Sequence, residues 1–167
     1  FWSDERGTNV LDSGAHFYEV YETADGKYIT IASVEPKFYA ALMEKLGDTG
    51  AGMENQWDMD NWPAFKEKLE VLFKQRTRDE WDAFFDGVDI CYAPVLSMAE
   101  VRHHPHHQAR GTFLDDGETW QPAPAPRFSR TPGEVTRAPA EIGAHSNEIL
   151  TEFGFELLRN HGWGKNR

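Results

Sequence analysis

The sequence predicts an α+β fold: a small domain in which an antiparallel, hairpin-based sheet packs on helices, followed by an extended proline-rich arm and a C-terminal helix. Three observations carry this reading. Two runs rich in aromatic and β-branched residues flank a tight-turn tripeptide, the apolar period then becomes helical, and prolines crowd the later part of the chain.

His16–Thr23 and Lys27–Val34 both alternate polar and apolar residues as a half-buried strand does, and Ala24-Asp25-Gly26 between them is a hairpin signal because glycine tolerates positive φ. Glu35-Pro36 changes the period: proline suits the first helical position and holds the residue before it extended. Phe38, Tyr39, Leu42, Met43 and Leu46 then fall at helical spacing, with Gly47 as the stop. A loop through Gly50, Gly52 and Asp58 leads to a second helix over 62–75, with Trp62, Phe65, Leu69, Leu72 and Phe73 on one face. Thr77-Arg78-Asp79-Glu80 is a capping-box pattern that starts a third helix carrying Trp81, Phe84 and Phe85, which Asp86-Gly87 ends. Ile90–Val95 reads as a short strand, and Ser97–Glu100 as one capped helical turn. A final helix over 147–153, closed by Gly154, brings in Ile149, Leu150 and Phe153, and a further turn is expected over 155–160. The organisation expected is a lead-in at 1–15, the small domain at 16–102, a return linker at 103–140 and a C-terminal helical segment at 141–167. Pro122, Pro124, Pro126, Pro132 and Pro139 keep the linker extended, so it needs another surface to lean on.

Composition narrows the function classes. The 167 residues carry 17 Lys+Arg against 28 Asp+Glu, a formal net charge of −11, which argues against a nucleic acid or an anionic membrane as partner. No run approaches the ~20 apolar residues needed to span a bilayer. The one cysteine, Cys91, excludes an internal disulfide and fits a reducing, cytoplasmic setting. Phe1-Trp2-Ser3-Asp4 has neither an initiator methionine nor a signal pattern, so a chain cut or trimmed from something longer is expected.

Candidate chemistry is sparse. Glu35 sits where a strand gives way to a helix, a common place for catalytic side chains at a sheet rim and equally a place where an acidic residue is simply favourable. His103-His104-Pro105-His106-His107 contains metal-capable imidazoles without ligand spacing, so a loop or partner contact is the default and no metal site is assigned. Cys91 lies in an apolar strand pattern and is expected to be buried and inert, and the Trp and Phe residues are read as core. No phosphate-cradling glycine loop, Ser-His-Asp order or paired zinc pattern is present, and no cofactor is indicated.

Longer words of the sequence are more telling. Arg6–Tyr18 (RGTNVLDSGAHFY), Thr23–Tyr28 (TADGKY), Val34–Tyr39 (VEPKFY), Asp86–Asp89 with Pro94-Val95-Leu96, Val101–His104 and Ile142–Leu150 (IGAHSNEIL) occur in order over nearly the whole chain, and together they resemble the α-methylacyl-CoA racemases among the family III CoA-transferases. The resemblance implies an interlocked pair of subunits, hence a homo-oligomer, and an acyl-CoA thioester as substrate. It implies that Glu35 belongs to an acid/base set that moves a proton from one face of a 2-methylacyl-CoA α-carbon to the other, and that Leu11, Tyr18 and Val34 line the acyl site. Val34-Glu35-Pro36 stands where transferase relatives carry a glycine-rich loop, which favours a racemase. The family's remaining His and Asp and its CoA nucleotide site precede residue 1, so the chain is expected to be inactive alone; the alternatives are a non-catalytic dimerisation module and a CoA-transferase-like protein. His16 replaces a proline usual in the family and is expected to loosen the lead into the first strand.

Overall fold

The computed structural model describes residues 2–154 except 116 and 118. The turn expected over 155–160, and the end of the segment expected from 141, lie outside the described residues. The chain divides into two compact units, 1–99 and 100–167.

In the first unit, β1 (Tyr18–Glu22) and β2 (Tyr28–Ala32) form the expected antiparallel hairpin, with Tyr21 opposite Ile29 and Tyr18 opposite Ala32. Gly26 takes φ 70° at the turn, and Thr23 Oγ1 donates to Asp25 Oδ1 at 2.6 Å beside it. β3 (Tyr92–Val95) joins antiparallel to β2, so the sheet order is β1-β2-β3. Period-two alternation gives the sheet two unlike faces. Tyr21, Ile29 and Ile31 are buried toward the helices, while Val20, Tyr28 and Val95 stand exposed on the other face.

α1 (Pro36–Leu46) begins on its proline and ends at Gly47, where φ is 55°. α2 (Trp62–Phe73) buries the face the sequence predicts, Trp62, Phe65, Leu69, Leu72 and Phe73. α3 (Arg78–Phe85) starts in a complete capping box: Glu80 N–H donates to Thr77 Oγ1 at 3.3 Å and Thr77 N–H to the Glu80 carboxylate at 2.8 Å. The core is largely aromatic: Phe73 packs on Trp81 and on Tyr21, each with ring centroids 5.0 Å apart. Rings of this size contribute through buried area, about 1.5–3 kcal/mol for a fully buried Phe, and through edge-to-face contacts. Not every large aromatic is core: Trp2, Trp57 and Phe128 are exposed, because each lies in a loop with no periodic face to bury.

α4 (Met98–Val101) follows β3. In the second unit the chain is less extended than its prolines suggest. Pro105 opens the short helix α5 (Pro105–Ala109), and β4 (Phe113–Asp115) pairs with β5 (Trp120–Pro122), with Phe113 and Trp120 rings 4.9 Å apart. Proline is tolerated at both places, at a helix start and at the end of an edge strand. From 123 to 145 no helix or strand forms, and α6 (Ser146–Glu152) then leaves Ile149 and Phe153 exposed.

Candidate functional site

Three chain segments converge at one end of the three-stranded sheet: the start of β1 at Tyr18, the stretch Ser33–Glu35 after β2, and Cys91 before β3. Backbone bonds tie them together, since Ser33 N–H donates to Phe17 O at 2.9 Å and Ala32 N–H to Cys91 O at 3.0 Å. Ser33 Oγ–H adds a 2.6 Å bond to Ile90 O.

Glu35 is the N-cap of α1, with φ −72° and ψ 140°, and its side chain does not cap the helix. Its carbonyl oxygen accepts from Phe38 N–H at 3.0 Å and Tyr39 N–H at 3.1 Å. The stem is therefore held by the first turn of α1, while the exposed carboxylate has no hydrogen bond or ion pair among the described residues. A carboxylate at a helix N-terminus is electrostatically favourable without a direct bond.

Tyr18 and Val34 are half-buried and pack against the core from this end of the sheet, whereas Leu11 is 49% exposed in the lead-in. Cys91 corrects its sequence reading. It is exposed and takes φ 54°, because the chain bends just before β3 begins at Tyr92. Partial desolvation, with the Glu35 and Asp89 carboxylates in its surroundings and Lys37 opposing them, raises the Cys91 thiol above its ordinary value. A raised thiol leaves less thiolate at neutral pH, and the burial expected for Cys91 is not found.

The lead-in forms a compact turn. Asn9 N–H and Nδ2–H both donate to the Asp12 carboxylate at 2.7 Å, and Ser3 N–H donates to Asn9 Oδ1 at 2.7 Å. The Asn9 side-chain bond holds the Asp12 carboxyl below its usual value. Gly14 N–H closes on Asn9 O at 3.0 Å, where a Cβ would lie 2.4 Å from that oxygen, so only glycine fits. This turn and the loop after α1 enclose a groove of about 600 Å³ lined by apolar Trp2, Val10, Trp57 and Met59 with polar Thr8 and Asn9. None of Leu11, Tyr18, Val34 and Glu35 lines it.

His16, at the lead into β1, is fully buried, and β1 begins at Tyr18. The Tyr39 hydroxyl donates its single proton to Met53 O, so the 2.8 Å contact between His16 Nε2 and that hydroxyl has the imidazole N–H as donor. Among the described residues the Nδ1 atom has no partner, in a cage of Phe17, Tyr39 and Phe65. Burial drives the His16 pKa down to about 4.

The His103–His107 block runs into the start of α5, where His104 Nδ1 accepts from His106 N–H at 3.3 Å. Among the described residues no group of three or more His, Cys, Asp or Glu comes together as a metal site. No helix among them is long and apolar enough to cross a membrane. Sequence reasoning passed over Gln56, a buried residue in the loop before α2. Its side-chain nitrogen donates to Ser33 O at 3.0 Å and Val34 O at 2.8 Å, immediately before Glu35. No periodicity or motif marks it; only a contact reaching back 22 and 23 residues does.

With this geometry in place, the comparisons with known proteins are specific. The model of CoA-transferase family III matches residues 3–146. The alpha-methylacyl-CoA racemase of Mus musculus is 42% identical over 166 residues, covering 96% of this chain and 43% of the relative. That of Homo sapiens is 44% identical over 157 residues, covering 92% of this chain and 41% of the relative. A crystal structure of a CAIB/BAIF family protein from Brucella suis superimposes with TM-score 0.62 at 25% identity, covering 81% of this chain and 37% of that one. The chain thus spans about two-fifths of the length of these racemases.

Proposed function

Because the chain belongs to CoA-transferase family III, we propose that it serves a racemase, supplying Glu35 as one acid/base group for 1,1-proton transfer at the α-carbon of a 2-methylacyl-CoA thioester. The observation that carries this reading is the state of Glu35: its backbone is anchored in the first turn of α1, while its exposed carboxylate is unpaired at the sheet end. A carboxylate locked in a surface ion pair could not exchange a proton with substrate, and this one is not locked.

In the proposed step a Glu35 oxygen takes the α-proton. The C–H electron pair passes into the thioester enolate, and an acid on the opposite face returns a proton to the carbon. Run in reverse, Glu35 is the acid. Transfer to the opposite face needs a second group, which residues outside this chain supply, together with the CoA nucleotide site; the chain alone is inactive. Leu11, Tyr18 and Val34 flank the acyl group in this reading, with Tyr18 and Val34 at the same sheet end as Glu35. The organisation proposed is a small domain at 16–102 preceded by a lead-in at 1–15, a return linker at 103–140 and a closing segment at 141–167. A homo-oligomer covers exposed apolar residues such as Ile149 and Phe153. The working place is cytoplasmic, and the acidic balance leaves nucleic acid and anionic membranes out of the partner set.

The test is deuterium exchange at the α-carbon of 2-methylacyl-CoA in D2O, with the chain alone and with a chimaera in which it replaces the matched stretch of the mouse racemase. The chain alone exchanges nothing, the chimaera exchanges, and Glu35→Gln in the chimaera cuts the rate by about 10²–10⁴-fold, the usual scale of a general acid–base group. A silent chimaera, or exchange untouched by the Glu35 substitution, refutes the reading.

A further inference from the structure

We propose that Gln56 is the positioning residue for Glu35, fixing the direction in which its carboxylate meets the α-carbon. The inference rests on the acid/base reading of Glu35 and deepens it. Gln56 Nε2 spends both hydrogens on two successive carbonyls, Ser33 O at 3.0 Å and Val34 O at 2.8 Å. The second carbonyl belongs to the peptide group that joins Val34 to Glu35. On the other side, Glu35's own carbonyl is held by Phe38 and Tyr39 N–H groups. The peptide groups before and after the Glu35 Cα are therefore both pinned, which sets the direction of its Cα–Cβ bond. The side chain beyond is exposed and makes no bond among the described residues.

Gln56 is itself fixed. It is 6% exposed, its carbonyl accepts from the Trp62 indole N–H at 2.9 Å, and its neighbour Trp57 packs edge-on against Phe17 with centroids 5.3 Å apart. Phe17 in turn accepts from Ser33 N–H at 2.9 Å, so the clamp and the strand end it holds share one scaffold. A primary amide suits the task because it offers two donors from one planar nitrogen. Neither Asp nor Glu in its charged form could serve two carbonyls, and the β2–β3 ladder stops at Tyr92 opposite Ile31, short of Ser33 and Val34.

The experiment uses the racemase chimaera described above, with Gln56→Met, which fills the space without donors, and Gln56→Glu, which keeps the shape. Leu69→Ala serves as a control that loosens the buried core away from the clamp. Loss of the clamp lowers kcat for α-proton exchange by about tenfold to a hundredfold, the scale of a small misplacement of a reacting group, with KM changed less than about twofold. Leu69→Ala lowers the melting temperature and leaves kcat in place. Should kcat in both Gln56 variants stay within the range of the Leu69 control, the positioning role is wrong while the Glu35 reading stands. Exchange absent from the unsubstituted chimaera removes that reading and the inference with it. If Gln56→Met fails to fold, Gln56→Glu alone decides by the same criterion.

Discussion

Acidification should weaken this protein through one imidazole. His16 is fully buried as the neutral Nε2–H tautomer, with Nδ1 unpartnered among aromatic rings, and its pKa stands near 4 against an ordinary 6.5. The folded state therefore binds the proton less readily than the unfolded chain. The stability from keeping His16 neutral is whole above the unfolded value of 6.5 and drains away as pH falls toward about 4. With those two values, the loss between pH 7.5 and pH 4.5 comes to about 2.5 kcal/mol, from about 1.4 kcal/mol per unit across the window. That is a large part of the stability of a small domain. None of the other described histidines is buried, and the carboxyls held low, Asp12, Asp25, Glu54 and Glu80, come into play mainly below their ordinary 3.8 to 4.5. Urea unfolding followed by tryptophan fluorescence at the two pH values measures the loss directly. Gln in place of His16 keeps an N–H donor for the Tyr39 hydroxyl and cannot take up the proton, so His16→Gln should lose about 2.5 kcal/mol less than the natural chain over this interval. Equal losses in the two proteins would refute the argument, as would a natural chain that is no weaker at pH 4.5.

Other expectations follow from backbone and thiol. Gly14→Ala drives a Cβ to 2.4 Å from Asn9 O and 2.5 Å from Thr8 C, both backbone atoms, so thermal unfolding should show a loss of about 1–3 kcal/mol, as overpacking typically gives; an unchanged melt would contradict it. Cys91 should react with iodoacetamide at pH 8 more slowly than free cysteine, because its thiol is held high, and Glu35→Gln should speed the reaction by removing a neighbouring negative charge. A rate unmoved by that substitution would separate the two side chains.

How far sequence alone reaches is clear from particular residues. The β1–β2 hairpin, the proline start of α1 and the Thr77–Glu80 box are local devices, written within a few residues of where they act, and each forms as read. Apolar spacing likewise marks the buried face of α2. Cys91 misleads because an apolar neighbourhood in sequence says nothing of the bend, with φ 54°, that turns the chain just before β3. The burial of His16 is not legible because its partner, Tyr39, lies 23 residues away. Gln56 is silent for the same reason, its meaning lying in two carbonyls on another segment. The arm's prolines disfavour long elements but leave room for a short helix that starts on one of them and a hairpin strand that ends on another. Glu35 was visible as a residue at a junction; that its stem is pinned and its tip unpaired only coordinates reveal.

The bond from Ser33 Oγ to Ile90 O joins residues 57 apart. Closing a loop that holds α1, α2 and α3 costs chain entropy, so this contact is non-local and rests on the whole segment between its ends. Destabilising any of those three helices would therefore be felt at Ser33, two residues before Glu35 and far in sequence from the lesion.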